Sequence, residues 1–468
     1  MTYDNFLASK RKSVNFKSLE VSRSELNPAL FEYQKDLVYL ALKKGHFAIF
    51  AMTGSGKTAM QAEWAYQIWR KEQKPILILA PLAVAHQSVG EIKEILGYDV
   101  KYCESGADVI NGLNITNYEK LDKFDPRAFV ALVLDESSRI KSYTSKSREM
   151  IVESFKSTPY KLACSATPSP NDYTELGNHT EFLNIMSLTE MLSMYFVHDG
   201  GETSKWILKG HAVKPFWEFI ATWAAFFTKP SDLGYSAEED AKFKLPKLNL
   251  EHIEVESTPS DTLFAVAAQT LNERRIAKRD SLKERCEKVA EICNGSDENF
   301  LIWCELNDEG ALLKKLVKQS IEIKGSDSDE FKARVMQGFA NGRIKCLITK
   351  PKIAGFGMNW QKHCANVIYA SLSDSFEGFF QSLRRVYRYG QKREVNCYIV
   401  TSEAEANVIA NIRRKEAEFL KMIEGVIEKT KEAIQKEIRQ VSVNKTEYEP
   451  KIEMKIPNFI KAVERRAI

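Results

Sequence analysis

The sequence has no apolar run long enough to span a bilayer, no Cys-x-x-Cys pair and no large excess of either charge. The first absence argues against a membrane-spanning helix, which needs about twenty apolar residues in succession. The N-terminal stretch MTYDNFLASKRKS also lacks the apolar core of a signal peptide, so a cytoplasmic location is expected. Cys103, Cys164, Cys286, Cys293, Cys304, Cys346, Cys364 and Cys397 stand singly, which indicates neither a zinc ribbon nor a disulfide framework. Reduced, packed thiols are expected. The 67 Lys and Arg residues exceed the 63 Asp and Glu residues by four, too little to demand a polyanionic partner. A local basic surface can still hold phosphates on a chain that is nearly neutral overall. Internal repeats and low-complexity tracts are also missing.

What is present describes a soluble globular chain. Its 468 residues, 44% hydrophobic and 28% charged, suffice for two or three domains. Apolar segments of strand length alternate with helical stretches in the βαβ pattern of parallel sheets, and the pattern occurs twice. HFAIFAM, PILILAP, LNITN, FVALVLDE and KLACSAT form the first set; NFLIWCE, IKCLITK, NVIYASL and VNCYIVT form the second. Between them lie Trp206, Trp217 and Trp223, then KPSDLGYSAEED and the extended LPKLNLEHIEVE. These suggest a helical insertion with a tryptophan core, followed by a linker strand into a second lobe. EAEANVIANIRRKEAEFLKMIEGVIEKTKEAIQKEI carries apolar residues at helical spacing among alternating charges, which predicts a long amphipathic helix packed on the core. His179, His198 and His211 are widely spaced and far from any cysteine pair, so they suit packed or surface positions better than metal ligation.

FVALVLDESSRIKS, residues 129–142, runs from apolar residues into two acids and two serines. It suits a buried strand entering a helix cap, because Asp and Ser side chains accept helix N–H bonds. It also suits a nucleotide motor, in which Asp135 holds a magnesium water and Glu136 orients the attacking water. AMTGSGKT, residues 51–58, favours the motor. Backbone N–H groups of a Gly-rich turn at a helix N-terminus cradle phosphates, Lys57 adds a point charge, and Thr58 offers its hydroxyl to magnesium. Thr53, Gly54, Ser55 and Gly56 complete the turn, with Ala51 where the general pattern has its first Gly. A phosphate loop needs a metal-binding acid on a neighbouring strand, and Asp135 ends such a strand.

Further segments follow the order of a known family. FEYQ (31–34) resembles the helicase segment whose glutamine, Gln34 in this chain, reads the adenine edge. PLAVAHQSVGE resembles motif Ia, ITNYEKL motif Ib, CSATP motif III, GFGMNWQ motif V and QSLRRVYRYGQKR motif VI. Over residues 28 to about 402 the chain resembles superfamily 2 helicase-like ATPases. DESSRIKS, TNYE and RYGQ resemble the SWI/SNF-type branch, with Ser137 and Ser138 where many helicases have Ala-His. ATPSPNDYTELGNHTEFL, KPSDLGY and SDSFEGFFQSLRRVYRYGQKR further resemble compact phage and prophage helicases.

The resemblance implies an α/β fold of two RecA-like parallel-sheet lobes. Lobe 1 would span 28–170 after an N-terminal extension (1–27), with the helical insertion and connection at 171–245. The linker strand and lobe 2 would span 246–425, and a C-terminal helix and tail 426–468. ATP and Mg2+ are the implied cofactors, and DNA, in duplex form, the implied partner, with specificity from a protein partner or the insertion. Lys57, Asp135, Glu136, Arg385 and Arg388 are the expected catalytic residues. Gly357 and Gln381 join Gln34 and the phosphate loop around the nucleotide, and Thr58 and Asp135 hold magnesium. Arg385 and Arg388, three apart, share a helical face and would act as arginine fingers across the lobes. Thr116, Thr349, Lys350 and Asn359 are expected on the nucleic-acid backbone. The implied activity is an ATP-driven duplex-DNA translocase; the alternatives are a strand-separating DNA or RNA helicase and a binding protein with a decayed ATPase.

Overall fold

The computed structural model describes residues 16–141, 145–169, 173–198, 206–256, 276, 278–355, 358–373, 375–403 and 406–442. The first alternating stretch folds into strands β1 (His46–Ala51), β2 (Ile76–Ala80), β3 (Val100–Tyr102), β4 (Leu113–Asn117), β5 (Ala131–Asp135) and β6 (Tyr160–Ser165). A two-stranded antiparallel hairpin follows, β7 (Phe196–His198) and β8 (Trp206–Leu208), and then β9 (Ala224–Phe227). The first sheet is parallel throughout, in the order β3-β4-β2-β5-β6-β1-β9. β1, β2, β4 and β6 are buried from end to end because helices cover both faces, which is why they read as near-continuous apolar runs.

The second stretch gives β10 (Leu248–Val255), β11 (Phe300–Trp303), β12 (Ser320–Glu322), β13 (Cys346–Thr349), β14 (Asn366–Tyr369) and β15 (Val395–Ser402). They form a second parallel sheet in the order β10-β15-β14-β11-β13-β12. The expected linker strand is therefore an edge strand, paired with β15 from Leu248↔Val395 to Val255↔Ser402. The two parallel sheets and their helices are the α/β architecture of two RecA-like lobes.

The stretch expected to be a helical insertion does more than insert helices. Helices Leu176–Phe182, Leu188–Tyr195 and Val213–Trp223 pack over one face of the first sheet, and β9 then joins that sheet beside β1. Trp217 and Trp223 are buried there, with the Trp217 ring edge-on to Tyr173 at 5.0 Å. Cutting either back to Ala would cost about 3–5 kcal/mol through lost burial and the cavity left behind.

The expected boundary near residue 425 falls inside one helix, Ala406–Ser442. Early in this helix Phe419 packs against Phe376 and Phe380 of the second lobe, at ring distances of 5.4 and 5.7 Å. Further on, Ile434 and Ile438 enter the core of the first lobe, and Glu437 pairs with Lys44 at 3.1 Å. An apolar stripe that continues along the helix lets one element touch both lobes.

Candidate functional site

The site forms at the carboxyl ends of β1, β6 and β5, where ligands of open α/β sheets sit. Register brings the pieces together: Asp135 is opposite Cys164, and Phe50 is opposite Ser165. The turn after β1 leads into helix Lys57–Glu72, with Gly54 at φ 90° and Gly56 at φ 79°. Only glycine takes these angles freely. Space matters too, since a Cβ on Gly56 would lie 2.2 Å from Gln34 Nε2, and one on Gly54 would lie 2.9 Å from Tyr389 Cβ of the second lobe.

Lys57 Nζ donates to the carbonyls of Ala51 at 2.7 Å and Met52 at 3.2 Å, bracing the loop from within. Burial lowers its pKa, opposed by the nearby Glu136 and Asp135 carboxylates. The Thr53 and Ser55 hydroxyl oxygens are buried without a hydrogen-bond partner, the condition of a cradle built for an acceptor-rich ligand. Gln34 supports the turn from below: its Oε1 accepts the Phe31 N–H at 3.0 Å and its Nε2 donates to the Ser55 carbonyl at 3.0 Å.

Asp135 Oδ1 accepts the Gln61 side-chain amide at 2.9 Å and the Glu136 N–H at 3.1 Å. Burial raises its pKa to about 6 despite the Gln61 bond. A half-buried carboxylate whose charge is poorly solvated gains from a cation, and with the Thr58 hydroxyl on the same cavity it makes an all-oxygen donor pair that fits magnesium. Gln61 was not among the expected residues. Its signal was positional, four residues after Lys57 and so on the same face of that helix.

Glu136 sits at φ 57°, a left-handed conformation uncommon for a residue with a side chain. Its Oε1 accepts from Ser138 Oγ at 3.2 Å, Ser165 Oγ at 3.1 Å and Gln381 Nε2 at 3.4 Å. Ser138 thus holds the carboxylate directly, while Ser137 Oγ bonds His179 Nε2 at 3.0 Å. Ser165, in the CSATP segment, is a site residue that the sequence marked only as part of a motif.

From the second lobe, Arg385 is nearly buried: Nε donates to the Gln381 carbonyl at 2.8 Å and Nη2 to Gln381 Oε1 at 3.3 Å. Burial and the neighbouring Arg388 lower its pKa to about 9. Arg388 is partly exposed, its Nε has no partner, and burial lowers its pKa against the pull of Glu91 and Asp135. A cavity of about 840 Å³ between the lobes is lined by Gln34, Thr53, Gly54, Gly56, Lys57, Thr58, Asp135 and Glu136 from one side and Arg385 and Arg388 from the other. Gly357 lies outside the described residues.

Residues 27–170 match the family described as Type III restriction enzyme, res subunit. The first lobe is a superfamily 2 helicase-like ATPase domain. Its match begins just before Gln34 and ends after the CSATP segment, so it takes in the phosphate loop and both acids. With this domain the chain is a helicase-type, nucleic-acid-dependent ATPase. No curated protein matches the chain.

The expected backbone contacts divide. Thr116 and Thr349 do not meet the expectation, because both are fully buried, their hydroxyls donating to the carbonyls of Cys103 at 2.8 Å and Ile323 at 3.3 Å. A strand-end hydroxyl can turn into the sheet as readily as out of it, and the motif does not say which. Lys350 is partly exposed, with Nζ on Asn307 Oδ1 at 2.6 Å. Asn359 contacts the first lobe instead, donating to Gln87 and Glu91.

Proposed function

We propose that this protein is an ATP-driven translocase on double-stranded DNA. The observation that carries the reading is the bond from Gln381 of one lobe to Glu136 of the other. At 3.4 Å it is long, and closing of the lobes on a nucleotide would shorten it. It links the acid beside the phosphate loop to the helix that precedes both arginines, so lobe closure and hydrolysis are one event.

In this reading the loop amides and Lys57 hold the ATP phosphates, while Gln34 meets the adenine edge. Thr58 and Asp135 hold magnesium, which when bound neutralises charge on the phosphates. Glu136 orients the attacking water, and Arg385 and Arg388 stabilise charge on the transferred phosphoryl group. Gln381 closes the nucleotide site from the second lobe. Cycles of closing and opening move two phosphate-gripping lobes along a backbone, with Lys350 as one contact. The duplex assignment and the SWI/SNF-type affinity rest on the likeness of DESSRIKS, TNYE and RYGQ, and the phage-type affinity on that of ATPSPNDYTELGNHTEFL, KPSDLGY and SDSFEGFFQSLRRVYRYGQKR.

Displacement of a third strand from a triplex tests translocation without strand separation. ATP-dependent release from an intact duplex is expected, with forked DNA left paired. Unwinding of the fork supports the second reading, a strand-separating helicase. One feature favours that reading: Val197 and Ile207 pair directly across the β7–β8 hairpin and are 49% and 44% exposed, an apolar edge suited to wedging between bases.

A further inference from the structure

We propose that Gln87 and Glu91 of the first lobe form, with Asn359 of the second, a latch that holds the lobes together and positions Arg385. The inference rests on the reading of Arg385 as an arginine that acts on the nucleotide. Gln87 Oε1 accepts the Asn359 backbone N–H at 2.8 Å, and Glu91 Oε2 accepts Asn359 Nδ2 at 2.9 Å. Gln87 Nε2 also donates to Glu91 Oε2 at 3.2 Å, which fixes the carboxylate for its task. Four residues apart on helix Leu82–Leu96, the two side chains share a face and grip both the main chain and the side chain of one residue.

The neighbours of Asn359 carry the effect onward. The Met358 carbonyl accepts Arg385 Nη1 at 3.5 Å, and the Trp360 N–H donates to the Arg385 carbonyl at 3.0 Å. Trp360 is itself fully buried, with Nε1 donating to the Met336 carbonyl at 3.3 Å. Asn359 therefore lies between the two residues that hold Arg385, one by its side chain and one by its main chain. Drawing Asn359 onto the first lobe sets the position of this segment, and with it the arginine. The bond to Glu91 is charge-assisted and half-buried, so it is of the stronger kind. An ion pair one turn on, Lys362 with Glu94 at 3.9 Å, is exposed and adds little.

The test is a double-mutant cycle in the full chain. Glu91→Ala should lower nucleic-acid-stimulated kcat about tenfold, the factor expected for one charge-assisted hydrogen bond. KM for ATP should change little, because the phosphate loop belongs to the first lobe alone. Asn359→Ala should do the same, and the double variant should be no worse than either single one. Glu91→Gln keeps an acceptor oxygen for Asn359 and should regain most of the turnover. Melting checks folding, and fluorescence anisotropy should show unchanged DNA affinity. Effects that multiply in the double variant overturn the latch, as does DNA affinity lost in Asn359→Ala and kept in Glu91→Ala.

A readout independent of hydrolysis separates the latch from the reading beneath it. Dyes at Lys101→Cys and Lys318→Cys, on exposed positions of the two lobes, report the interlobe distance without nucleotide. All eight native thiols are buried. Glu91→Ala should broaden and lengthen that distance. An unchanged distribution contradicts the latch whatever the ATPase rate, whereas a wild-type chain that never hydrolyses ATP contradicts the motor alone.

Discussion

Replacing Arg388 and replacing Arg385 should both stop turnover, yet only one should damage the fold. Arg385 is 4% exposed and its guanidinium is held by the Gln381 carbonyl, Gln381 Oε1 and the Met358 carbonyl. Arg385→Ala strands buried acceptors, a loss of about 1–3 kcal/mol. Arg388 already has an unpartnered Nε, and burial works against its charge. Arg388→Ala should therefore shift stability by less than about 1 kcal/mol. On turnover both should lose a factor of about 10³ to 10⁵, the usual worth of an arginine finger. Each decade is about 1.4 kcal/mol of barrier, so the effect is far larger than a surface ion pair of about 0–1 kcal/mol. The assay is nucleic-acid-stimulated ATPase, with urea melts and nucleotide binding measured beside it. A folded Arg388→Ala protein that keeps more than about a tenth of wild-type turnover refutes its role as a finger. A larger stability loss in Arg388→Ala than in Arg385→Ala refutes the reading of their environments.

Three further expectations follow from particular contacts. Lys57→Ala and Glu136→Gln should both abolish hydrolysis, but only Lys57→Ala should lose ATP affinity, since in the proposed function Glu136 acts on the water and not on the bound phosphates; equal losses in a titration would sink this division. DNA binding should weaken steeply with salt and vary little with sequence, and strong preference among unrelated duplexes would reveal a base-reading surface. Burial pushes the Lys161 ammonium from its ordinary 10.5 down to about 7, while its Nζ donates to the Phe182 carbonyl. Between those values the unfolded chain holds a proton that the folded chain lacks, so stability should rise with pH through that window. Denaturation midpoints of Lys161→Met should lose that rise.

The long strands and the phosphate loop were legible because each is a local signal. A buried parallel strand must be apolar on both faces, so HFAIFA and ALVLD announce themselves. AMTGSGKT announces its turn through glycines that other residues cannot replace. The strands β3 and β12 escaped because three residues carry no readable period, and β9 because it follows the helix Val213–Trp223 without a break. Ser165 and Gln61 converge on the acids through sheet register and helix face, and such convergence is decided by packing. Thr116 and Thr349 show the opposite failure, since a motif gives the position of a hydroxyl and not the direction in which it points. Asn359 was marked by its motif, but its partners Gln87 and Glu91 lie 272 and 268 residues away, beyond any local reading.

The most direct test of the account is the ATP hydrolysis rate of the purified chain alone and with duplex DNA, single-stranded DNA and RNA. Slow turnover is expected alone, the largest stimulation with duplex DNA, and none in Glu136→Gln. A folded wild-type chain that binds ATP and shows no hydrolysis with any of the three polymers would contradict it.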